Sequence, residues 1–154
     1  MLAELLAPIR IQLCADVSSK KKALETLARL FAQSDSYLDQ DQIFNALTAR
    51  EKLGSTALEK GIAIPHCRIA GCQQPIAAVL TLKTGIDFDA HDNSAVDIIW
   101  ALIVPEESNA DHLQILASLA GVLSDEENCM KIRNCKEQHQ LIDQLAHYEQ
   151  ALAS

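Results

Sequence analysis

Ile9, Ile11 and Leu13 alternate with Arg10 and Gln12, the period-two spacing of a short half-buried strand. After Ser18–Ser19, the residues Ala23, Leu24, Leu27, Ala28 and Phe31 follow helical spacing. Lys20, Lys21 and Lys22 fall in that helix's first turn, where the dipole disfavours cations. Packing of the apolar stripe is expected to outweigh that cost. A second helix is predicted from Asp39, with Gln42 as its capping-box partner, through Ile43, Phe44 and Leu47 to Lys52. Gly54 stands where a left-handed C-terminal cap belongs.

Gly61–Ile64 reads as a short strand ended by Pro65, and the runs Ile76–Leu82 and Ala95–Val104 are almost continuously apolar. Such runs predict strands covered on both faces. Gly85–Asn93 between them reads as a short strand or turn. The last third is helical: Ser108 or Asn109 caps a stripe of Leu113, Leu116, Ala117, Ala120 and Leu123. Ser124 with Glu127 opens a short helix to about Arg133, and Asn134 with Glu137 opens another carrying Leu141, Ile142, Leu145, Tyr148 and Leu152. Interleaved strands and helices with a helical tail predict a mixed α/β layer fold.

The 154 residues suit one domain, residues 1–154, that buries its core without a staple. Thirteen Lys and Arg against twenty-one Asp and Glu leave a formal charge of −8, which opposes a polyphosphate backbone and argues against a nucleic-acid partner. The run Ile98–Val104 is far short of the roughly 20 apolar residues a membrane helix needs, so no direct membrane insertion is expected. No export signal is legible at Met1–Leu13. The five cysteines (Cys14, Cys67, Cys72, Cys129, Cys135) form no CxxC pair, which suggests neither a zinc site nor a disulfide framework and fits a cytoplasmic protein with reduced thiols.

Nucleotide signatures are absent: there is no P-loop and no dinucleotide fingerprint, and the common hydrolase motifs are missing too. Attention therefore falls on Thr48–Arg68, which joins a cation near a helix end, a Gly-Ser-Thr turn and a histidine just after a strand and a proline. Pro65 stiffens the backbone that carries His66. A neutral imidazole there is either a nucleophile needing no added base or a turn filler. His112 falls in the first turn of a helix, where it either donates a hydrogen bond to an anion or packs beside Ile115 and Leu119. Arg50 is either a favourable charge in its helix's last turn or a fork for phosphate oxygens. Cys67 adjoins His66, but neighbours on an extended chain face opposite ways, so no metal is expected. His91, His139 and His147 read as surface residues and Trp100 as core.

The stretch LTAREKLGST…GIAIPH resembles the signature of the phosphotransferase-system enzyme IIA family of the fructose/mannitol type, especially its nitrogen-regulatory branch. FDAHDNSAVDIIWALIVPEESNADHLQILASLA resembles that family's second block. The resemblance implies a single α/β domain with a mixed central sheet flanked by helices. It implies that His66 accepts a phosphoryl group from a histidine-phosphorylated small carrier of the HPr/NPr kind, without a cofactor or metal. It further implies that Arg50 neutralises the phosphate, that His112 hydrogen-bonds it, and that Ser55 and Thr56 lie near it. Ala57-Leu58-Glu59 departs from the family's usual smaller residues, and Glu59 is expected to face solvent. The nitrogen branch favours a regulatory role, with target proteins docking on an apolar rim of Leu58, Ile62 or Ile64. The alternative is a IIA component that passes phosphate to a sugar-specific IIB or permease.

Overall fold

The two long apolar runs form the centre of the molecule. The computed structural model describes residues 1–108 and 110–153. In chain order these form β1 (Ile11–Ala15), α1 (Lys20–Ser34), α2 (Gln40–Leu53), β2 (Ile62–Ala63), β3 (His66–Ile69), β4 (Ile76–Ile86), β5 (Val96–Pro105), α3 (Ala110–Leu123), α4 (Glu126–Arg133) and α5 (Gln138–Ala153). β4 and β5 pair antiparallel, β1 runs parallel to β4, and both β2 and β3 run parallel to β5. The sheet is therefore mixed.

Alternate residues of the central strands enter different cores, as the pleat requires. Ala78, Leu80, Ile99, Ala101 and Ile103 pack with Leu27, Phe31, Ile43 and Leu47 of α1 and α2. Ala77, Val79, Ile98, Trp100 and Leu102 pack with Leu119, Leu123, Leu141 and Leu145 of α3 and α5. Both faces are covered, which accounts for apolar runs with no polar alternation.

Caps hold where a short polar side chain meets a helix start. Ser19 Oγ accepts from the Lys22 amide at 3.2 Å, and Asp39 accepts from the Gln42 amide at 3.1 Å. Elsewhere the expectations shift. Ile9 lies in a 3-10 turn, Pro8–Arg10, and is exposed, so the first strand begins at Ile11. Ser124 donates to the Gly121 carbonyl, and Asp125 caps α4 in its place by accepting from the Asn128 amide at 3.0 Å. Asn134 closes α4; before α5, the Gln140 side chain folds back to accept from the Lys136 and Glu137 amides. Gly54 ends α2 at φ 154° and ψ 144°, a glycine conformation but not the left-handed helical cap. Leu113 is exposed, and the buried stripe of α3 is Leu119, Val122 and Leu123. Asn109, one of the two residues expected to cap α3, lies outside the described residues.

β3 is a strand that the hydrophobic pattern does not predict. Ile62 pairs with Ile98 and His66 with Leu102, so β2 and β3 keep one register along β5 across the intervening Ile64–Pro65. Proline has no amide to give the ladder, but its carbonyl accepts from Leu102 N at 2.9 Å and keeps the chain beside β5. The outer side of this edge is occupied by residues 56–58: Leu58 N donates to the Ile62 carbonyl at 2.7 Å, and Ile64 N to the Thr56 carbonyl at 3.2 Å. No helix among the described residues is long and apolar enough to cross a membrane.

Candidate functional site

His66 opens β3, half-buried, directly after the break in the strand. Its Nδ1 lies 2.8 Å from the Ile64 carbonyl oxygen, two residues back. A carbonyl can only accept, so Nδ1 carries the proton and donates, leaving the Nε2 lone pair as the nucleophile. Pro65, between the two, makes the contact reproducible: its fixed φ and the extended Ile64 leave this short loop little freedom.

The ring binds a proton less readily than an ordinary histidine. Burial is the largest cause, and the positive charge of Arg50 and the neighbouring His112 imidazole act in the same direction. The hydrogen bond to Ile64 and the negative charge of Glu51 oppose them. The imidazole is thus kept neutral, the form that can attack an electrophile. These electrostatic effects also show which groups the fold gathers. Arg50 arrives from the last turn of α2, with Nη1 donating to the Gly54 carbonyl at 2.9 Å, and His112 from the first turn of α3. Two elements far apart in sequence therefore bring positive or protonatable groups to one imidazole.

Ser55 and Thr56 stand in the loop beside them, but their hydroxyl protons go elsewhere. Ser55 Oγ donates to the Phe88 carbonyl at 2.6 Å, and Thr56 Oγ1 donates to Glu51 Oε2. The Thr56 amide donates to the other oxygen of Glu51 at 3.2 Å. Lys20 Nζ approaches that same oxygen at 3.1 Å and Asp89 at 3.2 Å, with its ammonium 4.8 Å from the Phe88 ring centroid. Here lies the reason for a cation at the start of α1: Lys20 compensates a carboxylate that the fold has buried.

Glu51 and Lys20 escaped the motif reading, although both broke a local rule. Ile43, Leu47 and Glu51 share the buried stripe of α2, so a carboxylate occupies a core position, and a lysine occupies an unfavourable helix start. Two such violations that answer each other signal a buried pair.

Ile62 and Ile64 belong to the core at 1% and 8% exposure, so they form no docking rim; Leu58 is half-buried. The large apolar residues exposed next to site residues are Leu53, three positions past Arg50, and Leu113, adjacent to His112. Glu59 faces solvent, as expected, and so do His91, His139 and His147. Cys67 turns its side chain into the core under α1 and α2, and burial pushes its thiol up to about 12, far from a reactive thiolate. Among the described residues no group of three His, Cys, Asp or Glu side chains is arranged to hold a metal ion.

The family described as phosphoenolpyruvate-dependent sugar phosphotransferase system, EIIA 2, matches residues 4–148. The chain belongs to this family. A nitrogen regulatory protein of Pseudomonas aeruginosa is 47% identical over 122 residues, covering 79% of each chain. One from Bradyrhizobium diazoefficiens is 34% identical over 145 residues, 94% of each. The crystal structure of nitrogen regulatory protein IIA-Ntr from Neisseria meningitidis superposes with a TM-score of 0.87 at 36% identity, covering 93% of this chain and 97% of that one. Phosphotransfer is the general activity of an EIIA 2 protein, and the mixed sheet flanked by helices is the fold of these neighbours.

Proposed function

We propose that this EIIA 2 protein accepts a phosphoryl group on His66 Nε2 from a histidine-phosphorylated carrier protein, in the cytoplasm. The observation that carries the reading is the Nδ1–H donated to the Ile64 carbonyl, which leaves Nε2 unprotonated on a ring whose proton affinity is already reduced. The Nε2 lone pair forms the new P–N bond as the donor's P–N bond breaks, and the donor nitrogen keeps that pair. Positive charge then grows on the accepting ring and is shared with the Ile64 carbonyl through Nδ1–H. Transfer through a loose transition state needs alignment and charge stabilisation more than covalent help. Arg50 supplies a fixed positive charge to the equatorial oxygens, and His112 supplies a ring N–H. The backbone amide of Ser55 is the donor that loop offers the phosphate, since the Thr56 amide and both hydroxyl protons are committed elsewhere.

The regulatory use of this chemistry rests on the nitrogen regulatory names of the relatives. In this reading, phosphate on His66 alters a surface flanked by Leu53 and Leu113, and so alters which target protein docks there. Incubation with a phosphorylated carrier should yield acid-labile, alkali-stable phosphate on the native protein and none on His66→Ala. Label that persists in His66→Ala would refute the assignment. Equal affinity of every candidate target for both forms would remove the regulatory role. Onward transfer to a sugar-specific IIB would favour the transport reading.

A further inference from the structure

An unbroken set of contacts runs from the core to the nucleophile. Lys20 holds Glu51; Glu51 accepts both the amide and the hydroxyl proton of Thr56. The Thr56 carbonyl accepts from Ile64 N at 3.2 Å, and the Ile64 carbonyl accepts from His66 Nδ1 at 2.8 Å. Between Lys20 and His66 every link is a backbone group or a buried side chain: Glu51 is 7% exposed, Thr56 5% and Ile64 8%. Burying a carboxylate is costly even when it is paired, and an apolar residue at position 51 would continue the Ile43–Leu47 stripe without that cost. The carboxylate also sits one residue from Arg50, so one helix turn carries both the cation and the anion that the His66 ring feels.

We propose that Glu51 is the positioning residue of the site: by clamping Thr56 it fixes the Ile64 peptide, and with it the place and the proton-bearing nitrogen of the His66 ring. This rests on His66 being the phosphoryl acceptor. Glu51 touches no phosphate and acts through Thr56 and Ile64. Its negative charge also stabilises the positive charge that grows on the ring during transfer. The groups bearing on that ring are Arg50 and Glu51 from α2, His112 from α3 and the Ile64 carbonyl, with Lys20 from α1 and Asp89 behind Glu51.

The test needs no carrier for its first half. Imidazole 15N spectra of the unphosphorylated protein report tautomer and titration of His66 directly, beside the rate of phosphorylation by a carrier. In Glu51→Gln the ring should titrate lower than in the native protein, since a charge that favours its proton is gone. The rate should fall roughly 10-fold to 10²-fold, the scale of a misplaced reacting group. Thr56→Val keeps the amide and removes the hydroxyl; it should mix the two His66 tautomers, and Thr56→Ser should restore the Nδ1–H form. Native tautomer, titration midpoint and rate in a folded Glu51→Gln would overturn the proposal. If Glu51→Gln does not fold, Thr56→Val decides: a mixed tautomer supports the role, and an unchanged tautomer overturns it. Label on His66→Ala would sink the phosphotransfer reading and leave the titration results standing, so the two failures are distinguishable.

Discussion

On the α3–α5 side of the sheet, Trp100, Leu102 and Val79 meet Leu119, Leu141 and Leu145 in an apolar core, with the buried Asn128 amide bonded to the Val122 carbonyl beside it. On the α1–α2 side the same kind of core gives way, toward the β3 edge, to a buried carboxylate, a lysine and a threonine linked in series to a histidine. The first arrangement is non-directional and tolerates repacking, so it supplies stability without placing any atom closely. The second contributes less certain stability, because desolvation offsets much of the pairing, but its hydrogen bonds are directional and fix one ring nitrogen. Stability and placement are thus assigned to different parts of one small sheet, joined by β5, which packs Trp100 into one core and carries β3 along its edge.

Trp100→Ala tests the apolar side. Removing a buried aromatic should cost about 3–5 kcal/mol, read as a lower denaturant midpoint, while His66 keeps its titration in whatever fraction stays folded. A changed His66 tautomer there would break the division. Lys20→Met tests the polar side by leaving Glu51 buried without its cation, and the expected loss is about 3 kcal/mol. Unlike the first variant, it should also disturb the 15N signals of His66. Loss of stability with an undisturbed ring would show that the chain of contacts ends at Glu51.

Arg50→Ala should leave the fold intact, because its guanidinium bonds the Gly54 carbonyl at the exposed end of its own helix, and should slow phosphoryl acceptance about 10²-fold. A normal rate would remove Arg50 from the charge-stabilising role. The smallest effect concerns pH. Because the folded His66 binds its proton below the ordinary histidine value of 6.5, acceptance should stay level through neutral pH and decline only on acidification, with a midpoint under 6.5. The same sign applies to stability: the unfolded chain takes up this proton first, so the folded state loses ground as pH falls through 6.5. A midpoint at or above 6.5 in a pH–rate profile would contradict the reading.

Much of this was legible in the sequence, for identifiable reasons. Unbroken apolar runs marked β4 and β5, Ser19 and Asp39 marked two helix starts, and the motif around His66 marked the candidate site. What escaped depended on partners distant along the chain. β3 exists because the Pro65 carbonyl finds Leu102, and no local pattern announces that. Ile62 and Ile64 read as a rim because short apolar segments look alike whether they face helices or solvent. Asp125 displaced Ser124 as a cap by one position, a choice between neighbours that spacing alone does not make. Lys20 and Glu51 were each visible as an oddity, and only the fold showed that they answer one another.

The measurement that bears most directly on the site is the position of the phosphoryl group on the ring of 15N-histidine-labelled protein after reaction with a phosphorylated carrier. Phosphorus–nitrogen coupling at Nε2 of His66, with Nδ1 still protonated against Ile64, is the expected result. Coupling at Nδ1, or at any other histidine, would contradict it.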